Sequence, residues 1–265
     1  MFEELLEDVA QKNGLREVST WVKLAAGLGA ICLCLLATGY AAPLFIALVL
    51  SAAVFLLARV DAKTYAELFL VPLWFALMSA GVIVLISGGE HVFWSWNPLP
   101  FLSLSVSVES INQGFFILCR VIGGTSALLF IALTTPMTDL FIVMRRCGVP
   151  GFVVDLAMII YRTIFFLMDQ VQQIYRAQVM RLGYSGWRES INTFAMMCGA
   201  AFIASWDAGD DLVRAMDARC YDGKFALLGA NRPAGIRPLA ALCVFLLAGS
   251  AAVIVSQGMT LLQVA

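Results

Sequence analysis

Charge is scarce in this 265-residue chain: Asp, Glu, Lys and Arg make up 13% of it, about half the roughly 25% of an ordinary soluble domain. Hydrophobic residues reach 61%, so there is too little polar side chain to clothe a soluble core, and an integral membrane protein is implied. The formal net charge of -1 supplies no global basic field, which argues against a nucleic-acid partner. Histidine is represented by His91 alone, in a polar-aromatic loop without evident partners, so neither a metal site nor a His-based catalytic set is expected. The cysteines, Cys32, Cys34, Cys119, Cys147, Cys198, Cys220 and Cys243, never adopt C-x-x-C spacing. Cys32 and Cys34 would not share a helical face, and most of the seven are read as small apolar filler. No G-x-x-x-x-G-K-[ST] loop, H-E-x-x-H pair or Gly-rich dinucleotide turn occurs. Without a P-loop, any ATP-derived energy has to come from a partner. The opening "MFEELLEDVAQKNG" is acidic and lacks the basic and apolar regions of a secretory signal, so no cleavage is expected.

What is present is a set of apolar runs near the roughly 20 residues that a spanning helix needs. Four fall early, at 21–38, 41–58, 68–87 and 111–134, and a fifth runs from 238 to about 256. Orientation follows from the enrichment of Lys and Arg in short cytoplasmic loops. A cytoplasmic N-terminus puts Lys12, Arg16, Lys23, Arg59 and Lys63 inside, and the outward loop 88–110 then contains neither Lys nor Arg. Apart from Lys23, at the cytoplasmic edge of the first run, only Arg120 falls within a clear span. Two further stretches, 151–170 and 191–206, are ambiguous. If both crossed, Arg176, Arg181 and Arg188 would be stranded outside; moreover Asp155, Arg162 and Asp169 recur at seven-residue spacing on one face, which is costly against lipid. They are expected to be helices packed on the cytoplasmic half of the bundle, whether or not they dip into it. The expected organisation is an all-α, polytopic membrane helix bundle of about five spans. It divides into a four-span region at 1–134, a cytoplasmic region with two long amphipathic helices at 135–237, and a C-terminal transmembrane helix at 238–265.

Within that cytoplasmic region one pattern occurs twice. "RAQVMRLGYSG" (176–186) and "RAMDARCYDG" (214–223) both open Arg-Ala, place a second Arg five residues after the first, and close with Tyr and Gly. Apolar residues at 167, 171, 174, 175, 179 and 182 recur at helical spacing, predicting a helix that ends near Gly183 as a C-terminal cap. Residues 191 to about 221 suit a second helix of about 30 residues, with Gly199 and Gly209 as points of bending. Arg181 and Arg219 then each occupy a last turn, where a cation complements the helix dipole. Alone, either arginine reads as a cap. Doubled, on a chain with no energy source, they suit docking into two equivalent grooves of a dimeric partner, for which the planar guanidinium is well shaped.

Those elements, with "EDVAQKNGLREVSTWVKL", "CRVIGGTSALLFIALTTPMTDL", "MRRCGVPGF" and "IIYRTIFFLMDQ", give a chain that resembles, over nearly its whole length, the transmembrane T component of energy-coupling-factor transporters. Within that family it resembles the cobalt-type CbiQ branch, which carries two Ala-Arg-Gly-like signatures at the ends of crossed coupling helices. The resemblance places these signatures at Met180-Arg181-Leu182 and Ala218-Arg219-Cys220, with Ala177, Gly183 and Tyr221 beside them. Both arginines match, while Leu182 and Cys220 stand where glycine is usual. It implies a multi-pass, non-catalytic subunit of the plasma membrane with no cofactor of its own. Two ABC-type ATPase subunits would bind ATP and drive the coupling helices, and a substrate-binding membrane S component would take the cargo. Cobalt is the implied cargo, with nickel or a vitamin as alternatives. Arg120 and Arg162 resemble recurrent family positions, suited either to gating or to pairing inside the bundle, Arg162 with Asp155 or Asp169. A self-sufficient permease would want polar groups converging at mid-membrane, where the spans offer little beyond Arg120, Asn112 and Gln113. An intramembrane enzyme would want the nucleophile and base that this sequence lacks.

Overall fold

The computed structural model describes residues 13–15, 18–88, 92–99, 102–222 and 235–256, with the backbone alone described at 92–99 and 102–105. It is built of helices α1 (Thr20–Leu36), α2 (Ala41–Leu56), α3 (Ala62–Ile86), α4 (Val108–Thr134), α5 (Met137–Arg146), α6 (Gly151–Met180), α7 (Trp187–Asp217) and α8 (Ile236–Val255). The helical class expected from the sequence holds, with one addition. The stretch read as a loop contains an antiparallel two-stranded hairpin, β1 (Val92–Leu99) with β2 (Leu102–Ser107). His91 lies outside the described residues.

Among the described residues, four helices, α3, α4, α6 and α8, are long and apolar enough to cross a membrane. Of the five expected spans, the first two are shorter apolar helices of 17 and 16 residues. At 1.5 Å per residue these reach about 25 Å, just under the roughly 30 Å of a hydrocarbon core. Conversely α6, which was not expected to span on its own, is 30 residues long and qualifies by length and composition.

The chain divides into two compact units, Met1–Leu140 with Ala230–Ala265, and Phe141–Gly229. In the first, α4 is the central helix and packs on α1, α2 and α3, while α8 packs on α1 and α2. α4 starts in a capping box in which the Ser110 amide donates to Ser107 Oγ at 3.1 Å and the Ser107 amide to Ser110 Oγ at 3.0 Å, satisfying two amides that the first turn leaves open. Its small residues let backbones meet: a Cβ on Gly123 would stand 2.8 Å from both Cys34 Sγ and the Pro43 carbonyl oxygen. Such close approach is what drives helix association where lipid offers no hydrophobic contrast. The core gathers Ala30, Cys34, Ile46, Leu50, Val54, Phe130 and Leu133, whereas α3 turns Val71, Phe75 and Met78 outward along one stripe.

Cations close this unit at helix ends. Lys23, expected among the cytoplasmic loop charges, is instead only 3% exposed, and its Nζ donates to the Thr134 carbonyl at 2.9 Å. Asn13 Nδ2 donates to the Leu133 and Thr134 carbonyls at 3.1 Å each. The last carbonyls of a helix have no partner within it and carry its negative dipole end. Arg120 of α4 returns the arrangement to α1, donating through Nη2 to Ala37 at 2.6 Å and Leu35 at 3.2 Å, over the Phe116 ring. The two helices therefore each carry the cation that caps the other.

Of the seven cysteines, all free, only Cys34 and Cys119 are buried; the other five are exposed, so the reading as core filler fits just those two.

Candidate functional site

In the second unit α6 and α7 form a helical hairpin. Its closed end is held by Gln178 Nε2 donating to the Thr193 carbonyl at 3.2 Å, Thr193 Oγ1 to the Gly183 carbonyl at 2.8 Å, and Tyr184 to Gln178 Oε1 at 3.0 Å. α7 runs unbroken through Gly199 and Gly209 for 31 residues, starting at Trp187 rather than 191.

The two repeated elements end these helices in the same way. At the first, the amides of Arg181 and Gly183 both donate to the Gln178 carbonyl and that of Leu182 to Val179, at 3.0–3.1 Å. At the second, the amides of Arg219 and Tyr221 donate to Met216 and that of Cys220 to Asp217, again at 3.0–3.1 Å. Each is a Schellman motif, the closure that reverses a chain at a helix end through one left-handed residue. That residue is Leu182, φ 56°, in the first and Cys220, φ 53°, in the second. Each arginine is the last residue before it. A side chain there crowds the following carbonyl, at a cost of about 1–2 kcal/mol. The same closure ends α5, where the left-handed position is filled by Gly148, φ 91°.

This geometry separates two duties of a signature glycine. The left-handed backbone belongs to Leu182 and Cys220, not to Gly183, which had been read as the cap. Gly183 serves close approach: a Cβ there would lie 2.8 Å from Thr193 Cγ2 and 3.0 Å from its Oγ1. Ala177, Met180, Arg181, Leu182, Ala218, Arg219 and Cys220 are all exposed, while Gly183 and Tyr221 are half-buried. Among the described residues, Arg181 and Arg219 have no ion-pair partner.

The hairpin places the ends far apart. Tyr221 lies in the field of Asp155, near the start of α6; partial burial and the carboxylates of Asp155 and Asp222 push its phenol above the ordinary value. Residues 155 and 181 of a straight helix are separated by roughly 40 Å, and that is the spacing of the two arginines. Asp155 is itself buried, 5% exposed, and its ion pair, at 3.9 Å, is with Arg145 of α5. Arg162 and Asp169 are exposed on α6 and are not part of that pair. Among the described residues, no three His, Cys, Asp or Glu side chains converge as a metal site would require.

A bundle with helices able to cross a membrane, carrying an exposed cationic tip at each end of a helical hairpin, has the make-up of a membrane transport component. The chain belongs to the CbiQ family of cobalt transport proteins, whose family model matches residues 11–230. It is 36% identical over 244 residues to a fused cobalt transport protein, CbiMQ, of Methanocorpusculum labreanum, covering 92% of this chain but only 40% of that protein's length. An uncharacterized Methanocaldococcus jannaschii protein is 31% identical over 92% of this chain and 91% of its own. The energy-coupling factor transporter transmembrane protein EcfT of Ruminiclostridium cellulolyticum is 30% identical over 163 residues, 57% of this chain and 59% of that one.

Proposed function

We propose that this chain is the coupling subunit of an energy-coupling-factor importer, gripped through Arg181 and Arg219 by two ABC-type ATPase subunits and passing their movement to a substrate-binding membrane S component. Cobalt is the cargo that the family description favours. The observation that carries the reading is the pair of matching helix ends, each presenting, just before a left-handed residue, an arginine with no ion-pair partner among the described residues. Two sites of one kind, roughly 40 Å apart on a hairpin of long helices, suit two copies of one partner. When those copies close on ATP, their separation changes, and the hairpin is the element whose arrangement two such contacts would bias. ATP is held by the partners, and this chain contributes no cofactor. Both tips face the cytoplasm in this scheme, as does the N-terminus.

Changing Arg181 and Arg219 together to Glu is expected to abolish ATP-driven cobalt uptake by cells and to loosen the complex in detergent. Full uptake by the double variant removes the proposal. Accumulation of cobalt by the purified chain alone in liposomes, without ATP, would favour a self-sufficient permease.

A further inference from the structure

The two tips share a backbone but not a surface. Around the first, Arg181 lies between Met180 and Leu182, 85% and 77% exposed, with Trp187 also 85% exposed a few residues on. Around the second, Arg219 lies between Ala218 and Cys220, both small. Charge divides them as well. Arg176, Arg181 and Arg188 stand exposed around the first tip with one carboxylate, Glu189, which accepts from Ser185 at 3.0 Å. Around the second, among the described residues, Arg214 and Arg219 are outnumbered by exposed Asp210, Asp211, Asp217 and Asp222, and with Lys224 next in the sequence the basic residues still number three against four. The Leu182 side chain is held in a left-handed conformation that glycine fills without strain, yet within the chain it buries little.

We infer that the tips grip their partners unequally: the first is an anchor, adding Met180 and Leu182 as an apolar clamp around Arg181, and the second is the weaker, releasable contact made by Arg219 alone. The inference rests on the coupling role proposed above and deepens it. A groove that receives an arginine offers carboxylates or carbonyl oxygens. The surplus of arginine at the first tip strengthens approach to such a groove, and the aspartates at the second weaken it. Exposed Met and Leu at the centre of a contact lose their water only when the partner covers them, which places their contribution in binding rather than in folding. Two identical ATPase subunits would then be held with different lifetimes, one staying attached while the other engages and lets go.

The test uses the full chain in detergent and the separately purified ATPase of the same transporter. The Arg219→Glu chain leaves only the first tip, and the Arg181→Glu chain only the second. The former is expected to bind the ATPase at least tenfold more tightly. Adding Met180→Ala with Leu182→Gly to the Arg219→Glu chain should erase that advantage. Adding Ala218→Met with Cys220→Leu to the Arg181→Glu chain should raise its affinity, a gain that misfolding cannot imitate. Equal affinities at the two tips, or tighter binding through the second, overturn the inference and leave the coupling role standing. Unaltered binding in both single-arginine variants instead removes the coupling role itself.

Discussion

Leu182 and Cys220 carry the most local of the expectations raised by this fold. Each holds a left-handed backbone, φ 56° and 53°, at about 1–2 kcal/mol of steric cost. Replacing either by glycine removes that cost and adds about 0.5–1 kcal/mol of chain entropy to be lost on folding, for a net gain of about 0.5–1 kcal/mol. Neither side chain offsets it through packing, since both are exposed. The tips are roughly 40 Å apart, so the two gains should add. Hydrogen exchange resolved to peptides covering 178–184 and 216–222 reads the effect where it arises, because the amides of Leu182, Gly183, Cys220 and Tyr221 exchange only when the closure opens. Exchange should slow roughly twofold to fivefold in the glycine variants, 1.4 kcal/mol being tenfold. Gly148→Ala, the reverse change at φ 91°, should speed exchange at the end of α5. Faster exchange at either tip in its glycine variant, with α5 indifferent to Gly148→Ala, would show that the left-handed closures are not populated. Leu182→Gly should also separate two properties, stabilising the helix end while weakening the proposed hold on an ATPase subunit.

Arg120→Met deprives the Ala37 and Leu35 carbonyls of their donor and, at about 1.5–3 kcal/mol for a bond to a charged group, should lower the melting temperature in detergent; an unchanged melt would mean that α1 does not depend on that cap. Gly183→Val drives a side chain into Thr193 and should cost about 1–3 kcal/mol by overpacking. It should free the Thr193 hydroxyl from the Gly183 carbonyl and raise proteolysis between α6 and α7, and protease resistance equal to that of the parent chain would count against the close approach.

Composition alone determined that this chain lives in a membrane, because a chain with 13% charged residues cannot be clothed for water. Helical periodicity and the doubled Arg-Ala pattern likewise located two long helices and singled out Arg181 and Arg219, since both signals are local and repeat along the chain. Tertiary structure decided the rest, and in each case the missing term was a partner distant in sequence or a backbone angle. Lys23 reads as a loop charge until the carbonyl of Thr134 comes within 2.9 Å of it. The seven-residue spacing of Asp155 and Arg162 shows a shared face of one helix, but the ion pair of Asp155 comes from Arg145, on the other side of a turn. Leucine and cysteine disfavour the left-handed region, so nothing in their identity announces that Leu182 and Cys220 occupy it. That conformation follows from hydrogen bonds closing around carbonyls that the end of a helix leaves open.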